Sequence, residues 1–438
     1  MKKTPIADFL DDYAKKNAAR FHMPGHKGRG DAERYDITEI DGAGDLFSDS
    51  GIISESEEVA SEIFGCPTYY STEGSSLAIR TMAALAARGG TKRVIAGRNA
   101  HRAFISAAIL LDLDVEWLFP RGESSYLSCP ITPSDVAVAI DSSPERPCFV
   151  YVTSPDYLGN TVDIEGIARV CHERGVLLLV DNAHGAYLKF LSPSRHPIDL
   201  GADMCADSAH KTLPVLTGGA YLHLSPAAAE LYRASVKETM SLFASSSPSY
   251  LIMRSLDMAN PVLDALSDTL PLIVEAVREV KGALSSHGYA LVGDEELKIT
   301  IRTKPFGYTG DDMARLVSER GVIPEFHDPD FISFMISQGN TEDDLRHLLS
   351  TLSGIEKKDP VEGDAPHVMR RHRVMSPREA YFSTYDDVPT SECVGRVLSS
   401  CSVSCPPAVP IVVSGELIDE SAAACLGYYG IDRVCVVK

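Results

Sequence analysis

Lys211 stands in the run Asp203-Met-Cys-Ala-Asp-Ser-Ala-His-Lys-Thr-Leu-Pro-Val-Leu-Thr-Gly-Gly-Ala220, thirty residues after Asp181, which itself closes the apolar run Val176-Leu-Leu-Leu-Val180. The neighbours of Lys211 are small or apolar, and burial among them favours the free amine that attacks a carbonyl. An aspartate just after an apolar strand sits at the sheet edge where α/β proteins bind ligands. A carboxylate placed there can keep a pyridine nitrogen protonated. Amine and carboxylate together are what pyridoxal phosphate needs, because its aldehyde condenses with a lysine while an acid faces its ring nitrogen.

The segment Tyr70-Ser-Thr-Glu-Gly-Ser-Ser-Leu-Ala-Ile-Arg80 adds a phosphate cradle. Gly74 opens a turn where an alanine-rich helix begins. The free N–H groups and dipole of that helix attract an anion, with Ser75 and Ser76 as further donors. Ser208 and His210, beside the lysine, offer two more. His101, in Ala96-Gly-Arg-Asn-Ala-His-Arg-Ala103, follows another apolar run. It could lie against a cofactor ring, offering a flat surface, a hydrogen bond and a proton. Each residue also has an ordinary reading: Ser75 as a helix cap, Asp181 as a turn residue, His101 as a satisfied loop histidine, Lys211 as a surface lysine. The specific signal is the ordered set of glycine-serine turn, histidine, strand-ending aspartate and lysine.

Positioning these residues requires a sheet. Arg93-Val-Ile-Ala96, Val115-Glu-Trp-Leu-Phe119, Cys148-Phe-Val-Tyr-Val152 and Val176 to Val180 alternate with helical patterns such as Ser75 to Arg88 and Ile164 to Arg174. That alternation predicts an α/β domain with a mainly parallel sheet covered on both faces. We expect an N-terminal arm over 1–50, a cofactor-binding large domain over 51–247, a connector helix with a small α+β domain over 248–355, and a C-terminal module over 367–438. In the small domain, Thr341 with Asp344 reads as a capping box and Gly321 as a helix end. The two short strands expected there centre on Ile323 and Phe331.

The 438 residues carry a formal charge of −20, with 44% apolar and 23% charged residues. Such a surface argues against nucleic acid as a partner. No stretch is apolar over the length that spans a bilayer, and Met1 to Leu10 lacks the core of a secretion signal. The ten cysteines are scattered without zinc-site spacing, so no metal is expected, and a cytoplasmic, thiol-reduced protein is the expectation.

Together these segments resemble the bacterial ornithine/lysine/arginine decarboxylases of the fold type I pyridoxal phosphate class. The resemblance is carried by Phe21-His-Met-Pro-Gly-His-Lys-Gly28, Asp36-Ile-Thr-Glu, Phe64-Gly-Cys-Pro-Thr-Tyr-Tyr-Ser-Thr-Glu-Gly-Ser-Ser76, Arg98-Asn-Ala-His101 and Thr153-Ser-Pro-Asp-Tyr-Leu-Gly159. Val180-Asp-Asn-Ala-His-Gly185, Ser208-Ala-His-Lys211, Pro377-Arg-Glu-Ala-Tyr-Phe382 and Pro406-Pro-Ala-Val-Pro410 extend it. It implies an aminotransferase-like large domain of the seven-stranded type and a short form lacking the N-terminal wing. The implied activity removes the α-carboxylate of arginine, lysine or ornithine, giving agmatine or a diamine for polyamine biosynthesis.

By the same resemblance Lys211 holds pyridoxal phosphate covalently, Asp181 binds its ring nitrogen, and His101 stacks on the ring. Gly74, Ser75, Ser76, Ala183, Ser208 and His210 complete the cofactor site. Ser246, in Ser245-Ser-Ser-Pro248, reaches the phosphate of a second subunit, so a homodimer with shared sites is implied. The chain departs from the family pattern at Asn182, where glutamate is usual, and at Tyr187, where a second histidine is frequent. Two rivals stay open: an aminotransferase, for which Arg302 could grip the substrate carboxylate, and a non-catalytic cofactor-binding protein. Asp45, Asp49, Glu55, Glu325 and Asp328 are candidates for the substrate's distal cation.

Overall fold

The computed structural model describes residues 2–90, 92–122, 124–363, 366–405 and 409–438. Pro406, Pro407 and Ala408, part of a segment that carries the family resemblance, lie outside the described residues. The fold is α/β, built on a mainly parallel seven-stranded sheet. Its strands are β1 (Thr68–Ser71), β2 (Arg93–Gly97), β3 (Asp114–Leu118), β4 (Phe149–Thr153), β5 (Leu177–Asp181), β6 (Met204–Asp207) and β7 (Ala220–Leu224), in the order β1-β7-β6-β5-β4-β2-β3. Pairs β2–β3, β2–β4 and β5–β6 are parallel, whereas β7 runs antiparallel to both β1 and β6.

Four of the seven strands are legible as apolar runs. The other three are disguised: β1 and β6 have four residues each and end on Ser71 and Asp207, and β7 carries His223 at a buried position. Polar residues on a buried strand defeat a hydrophobicity reading, since they are tolerated only where partners wait in the tertiary structure.

The chain divides into two compact units, residues 1–88 with 177–271 and residues 89–176 with 272–438. In the first, the helix Pro5–Lys15 buries Ile6, Ala7 and Leu10. Asp257 fastens it, one carboxylate oxygen accepting the Ala7 N–H at 2.8 Å and the other the Ser56 hydroxyl at 2.5 Å. The arm beyond this helix is irregular apart from one turn of 3₁₀ helix at Glu33–Tyr35, and Phe21 on it is 95% exposed.

The second unit contains a four-stranded sheet of β8 (Ala290–Val292), β9 (Lys298–Arg302), β10 (Phe326–His327) and β11 (Phe331–Met335), in the order β10-β11-β9-β8. Strand β8 was not expected, and the strand placed at Ile323 lies at Phe326–His327; Ile323 itself is exposed. Thr341 and Asp344 form the capping box, and Gly321 follows the helix Gly310–Ser318 with a positive φ of 81°. The C-terminal residues form β12 (Tyr385–Pro389), β13 (Ser402–Cys405), β14 (Val409–Val413) and β15 (Arg433–Val437), with the helices Pro377–Phe382 and Glu420–Tyr428. Tyr126, Leu127 and Leu158 share one core with Phe331, Leu398, Ile411 and Val436. No helix among the described residues is long and apolar enough to cross a membrane.

Candidate active site

Strands β5 and β6 are parallel and in register at Asp181 and Ala206, so both end at the same edge of the sheet. Asp181 closes β5, is 1% exposed, and accepts the Ala183 N–H at 3.2 Å. Strand β6 hands over at Asp207 to Ser208 and the short helix Ala209–Thr212, which carries His210 and Lys211. Because β7 runs antiparallel to both its neighbours, β1 points the same way as β6. The helix Gly74–Ala86 therefore begins at that same edge.

Two of the expected phosphate ligands meet there, Ser208 Oγ donating to Ser75 Oγ at 2.8 Å. Among the described residues no side chain caps the start of the Gly74–Ala86 helix, so the positive end of its dipole faces the turn. Gly74 has φ +67°, and a Cβ added there would meet nothing within 4 Å, which leaves room at the mouth of the turn. These observations fit an anionic phosphate held by backbone and hydroxyl donors. Ser76 is half-buried.

The lysine loop is tied to the phosphate turn through Gly218 and Gly219. Gly74 N–H donates to the Gly218 carbonyl at 2.7 Å, while the Gly219 carbonyl accepts from His210 N–H at 3.1 Å and from its Nδ1 at 3.0 Å. A carbonyl only accepts, so Nδ1 of His210 carries a proton. Gly218 has φ +98°, and a side chain there would press on Ile252 and on the Thr72 carbonyl at 3.0 and 3.1 Å. Close approach of two backbones explains this glycine.

His101 follows β2 in the second unit, caps the helix Arg102–Leu111, and accepts the Ala103 N–H on Nδ1 at 3.1 Å. Its proton therefore resides on Nε2. Ser246 is exposed in the loop between two helices of the first unit, and the neighbouring Ser245 N–H donates to Glu73 Oε1 at 2.6 Å. Arg302 is exposed at the end of β9. Asp45, Asp49, Glu55 and Glu325 are exposed, whereas Asp328 is buried with Oδ1 accepting the N–H groups of Asp330 and Phe331. The turn engages one oxygen of the Asp328 carboxylate, while Oδ2 is buried without a hydrogen-bond partner among the described residues.

One cluster escaped the sequence. Asp207 is fully buried and accepts from Asn182 Nδ2 at 2.7 Å, His196 Nε2 at 3.1 Å, His223 Nε2 at 3.2 Å and Cys205 Sγ at 3.4 Å. Burial pushes its carboxyl up, but the imidazoles of His196 and His223 outweigh this and hold it well below the usual carboxylate range. Burial lowers the His223 imidazole, against the pull of Asp207. Residues 196, 207 and 223 are also of metal-ligating types, and among the described residues they form the one such group. Their spacing along the chain matches no metal motif; the available signal was a charged residue closing a four-residue apolar strand.

The family described as "Orn/Lys/Arg decarboxylase, major domain" matches residues 4–287. An arginine decarboxylase of Halalkalibacterium halodurans is 30% identical to the chain, over 97% of this chain and 92% of its own length. An arginine decarboxylase of Bacillus subtilis is 27% identical, over 95% and 92%. The crystal structure of a lysine decarboxylase from Francisella novicida shares the fold, with a TM-score of 0.81 at 17% identity, covering 99% of this chain and 81% of that one.

Proposed function

This chain belongs to the Orn/Lys/Arg decarboxylase family and is a pyridoxal phosphate-dependent decarboxylase of a basic amino acid; from that premise we propose that its substrate is arginine and its product agmatine. The names of the Halalkalibacterium and Bacillus relatives support arginine over lysine and ornithine. When bound, pyridoxal phosphate supplies a conjugated cationic ring that accepts the electron pair left by the departing carboxyl group.

The chain's own residues do the rest. Lys211 would hold the cofactor through its amine. Asp181 holds the ring nitrogen protonated. The helix start at Gly74, with Ser75, Ser76, Ser208 and His210, would hold the phosphate, and Ala183 would border the ring. His101 would cover the ring, and its Nε2 or the Lys211 amine would carry the proton that the α-carbon takes up. Ser246 of a second copy completes the phosphate site, which makes a homodimer the working form, in the cytoplasm.

An arginine clamped on the substrate carboxylate would stabilise the ground state and oppose its loss, so a decarboxylase has no use for the clamp a transaminase needs; the arginine decarboxylase relatives favour decarboxylation. The observation that carries the site assignment is the 2.8 Å contact of Ser75 with Ser208, which joins two distant segments beside Asp181. Carbon dioxide release should be measured from arginine, lysine and ornithine, with wild type and Lys211→Ala. Release from arginine, abolished in the variant together with the protein's visible cofactor absorbance, is expected. Turnover persisting in the variant would refute the role of Lys211, and a stronger rate with lysine or ornithine would refute the substrate.

A further inference from the structure

We propose that Asp207 and Asn182 form a buried acid-amide clamp that sets the spacing of the two cofactor-binding loops, Asp207 acting as a positioning residue through Ser208 and Asn182 through Asp181. The inference rests on the assignment of Asp181, Ser208 and Lys211 to the cofactor.

The two strand ends are stitched twice at one point. Asn182 N–H donates to the Ala206 carbonyl at 3.0 Å, and Asn182 Nδ2 donates to Asp207 Oδ1 at 2.7 Å. Asn182 directly follows the carboxylate that faces the ring nitrogen; Asp207 directly precedes the serine that bonds Ser75. One more bond, from Lys211 N–H to the Ser208 carbonyl at 3.0 Å, carries the tie to the lysine. A shift of either strand end would move the ring carboxylate relative to lysine and phosphate, and misplacement by about 1 Å is enough to cost catalysis heavily.

Asp207 is anchored from the other side as well. Its Oδ2 accepts from His196 and from His223, which lies on β7 in register with Cys205. A carboxylate only accepts, so His223 Nε2 carries the proton shared with Asp207, while Thr68 Oγ1 lies 2.9 Å from Nδ1 and donates to the Cys66 carbonyl at 3.0 Å. Phe64 packs on the His223 ring at 4.5 Å between centroids and on His196 at 5.9 Å. The carboxylate thus collects donors from β5, β6, β7 and the 196 loop, and every member of the cluster is buried. A buried charge of this kind is stable only when fully bonded.

This arrangement explains the amide at 182. With Asp207 already ionised, an acid at 182 would set two carboxylates together in a dry site, where both cannot be charged. The complement is reciprocal: exchanging acid and amide, as in the double variant Asn182→Asp with Asp207→Asn, keeps one donor facing one acceptor and leaves the new amide oxygen to accept from both histidines.

The test uses full-length enzyme loaded with pyridoxal phosphate, its dissociation constant for the cofactor measured by equilibrium dialysis and its visible absorbance recorded. Asn182→Asp and Asp207→Asn should each weaken cofactor retention roughly tenfold and alter the absorbance, and the double variant should return to within about threefold of wild type. Asn182→Ala, which introduces no charge and leaves Asp207 three donors, should fold and still lose retention by about threefold or more. Equal retention across all variants would overturn the clamp, as would a double variant no better than the singles. A stoichiometric transition metal in the purified enzyme would also overturn it, because His196, His223 and Asp207 would then be ligands. Wild type that holds no cofactor would sink the site assignment itself, a different result from variants that match a cofactor-bound wild type.

Discussion

Replacing Glu416 by glutamine is expected to destabilise the second unit by about 3–5 kcal/mol, the cost of leaving a buried charge without its partner. Arg98 and Glu416 are both in that unit, with side chains 1% and 4% exposed and Nη2 2.9 Å from Oε2. At that 2.9 Å separation two unit charges interact by roughly 6 kcal/mol at an effective dielectric of about 20, a gross value that relaxation reduces. Little else satisfies the guanidinium. Nη2 also reaches the Ile411 carbonyl at 3.2 Å, while Nε and Nη1 have no hydrogen-bond partner among the described residues and lie against Trp117 and Phe119. Glu416 further accepts the Val413 N–H at 2.8 Å, a bond the glutamine oxygen can keep, so the loss in Glu416→Gln is that of the charge.

Trp117 is the chain's single tryptophan, and its ring centroid lies 5.2 Å from the Arg98 guanidinium carbon, so its fluorescence reports this site directly. Urea unfolding followed at Trp117 should show the loss in Glu416→Gln. Replacing both partners, as Arg98→Met with Glu416→Leu, should recover most of it, because removing both charges removes the desolvation penalty with them. A loss under about 1 kcal/mol in the single variant, or a double variant as unstable as the single, would refute the reasoning.

The remaining predictions concern the arm, the small sheet and the phosphate turn. Asp257, which holds the N-terminal helix, is pushed up to about 6 by burial, despite bonds from Ser56 and Ala7 that lower it. A raised folded value means its contribution is fully present below the ordinary carboxylate range and is lost as pH rises through about 6. The loss amounts to about 3 kcal/mol, and Asp257→Asn should flatten urea stability between pH 4 and pH 7, a range set by that window. Asp328 is pushed up to about 7 by burial, with Asp330 and Asp311 adding to the rise. Its contribution is lost as pH passes through about 7, so Asp328→Asn should raise stability at pH 8 relative to pH 5, a change read at Trp117. Ser75→Ala removes both the proposed phosphate donor and the partner of Ser208; cofactor dissociation measured by dialysis should rise about 10- to 100-fold, as for a bond to a charged group. Gly218→Ala forces φ +98° on a residue with a side chain and crowds Thr72, so melting temperature and cofactor retention should fall together.

Much of the proposed chemistry was legible in residue order alone. Lys211, Asp181, His101 and the Gly74-Ser75-Ser76 turn are local signals, because an amine in a small-residue loop, an acid after an apolar strand and a glycine at a helix start act through their immediate neighbours. Strands β2 to β5 were legible for the same reason, being short apolar runs between helices. The family resemblance rested on these segments too.

What only the tertiary structure decided is which polar residues are buried together. Asp207, His196 and His223 have no common pattern in the chain, yet antiparallel β7 brings His223 beside β6, and the 196 loop closes over the same carboxylate. Arg98 and Glu416 stand 318 positions apart and meet in one core. Strands β1, β6 and β7 stayed hidden because their polar residues are acceptable only once these partners exist. Local spacing determines which groups can react; long-range pairing determines where a buried charge finds the donors that let it remain.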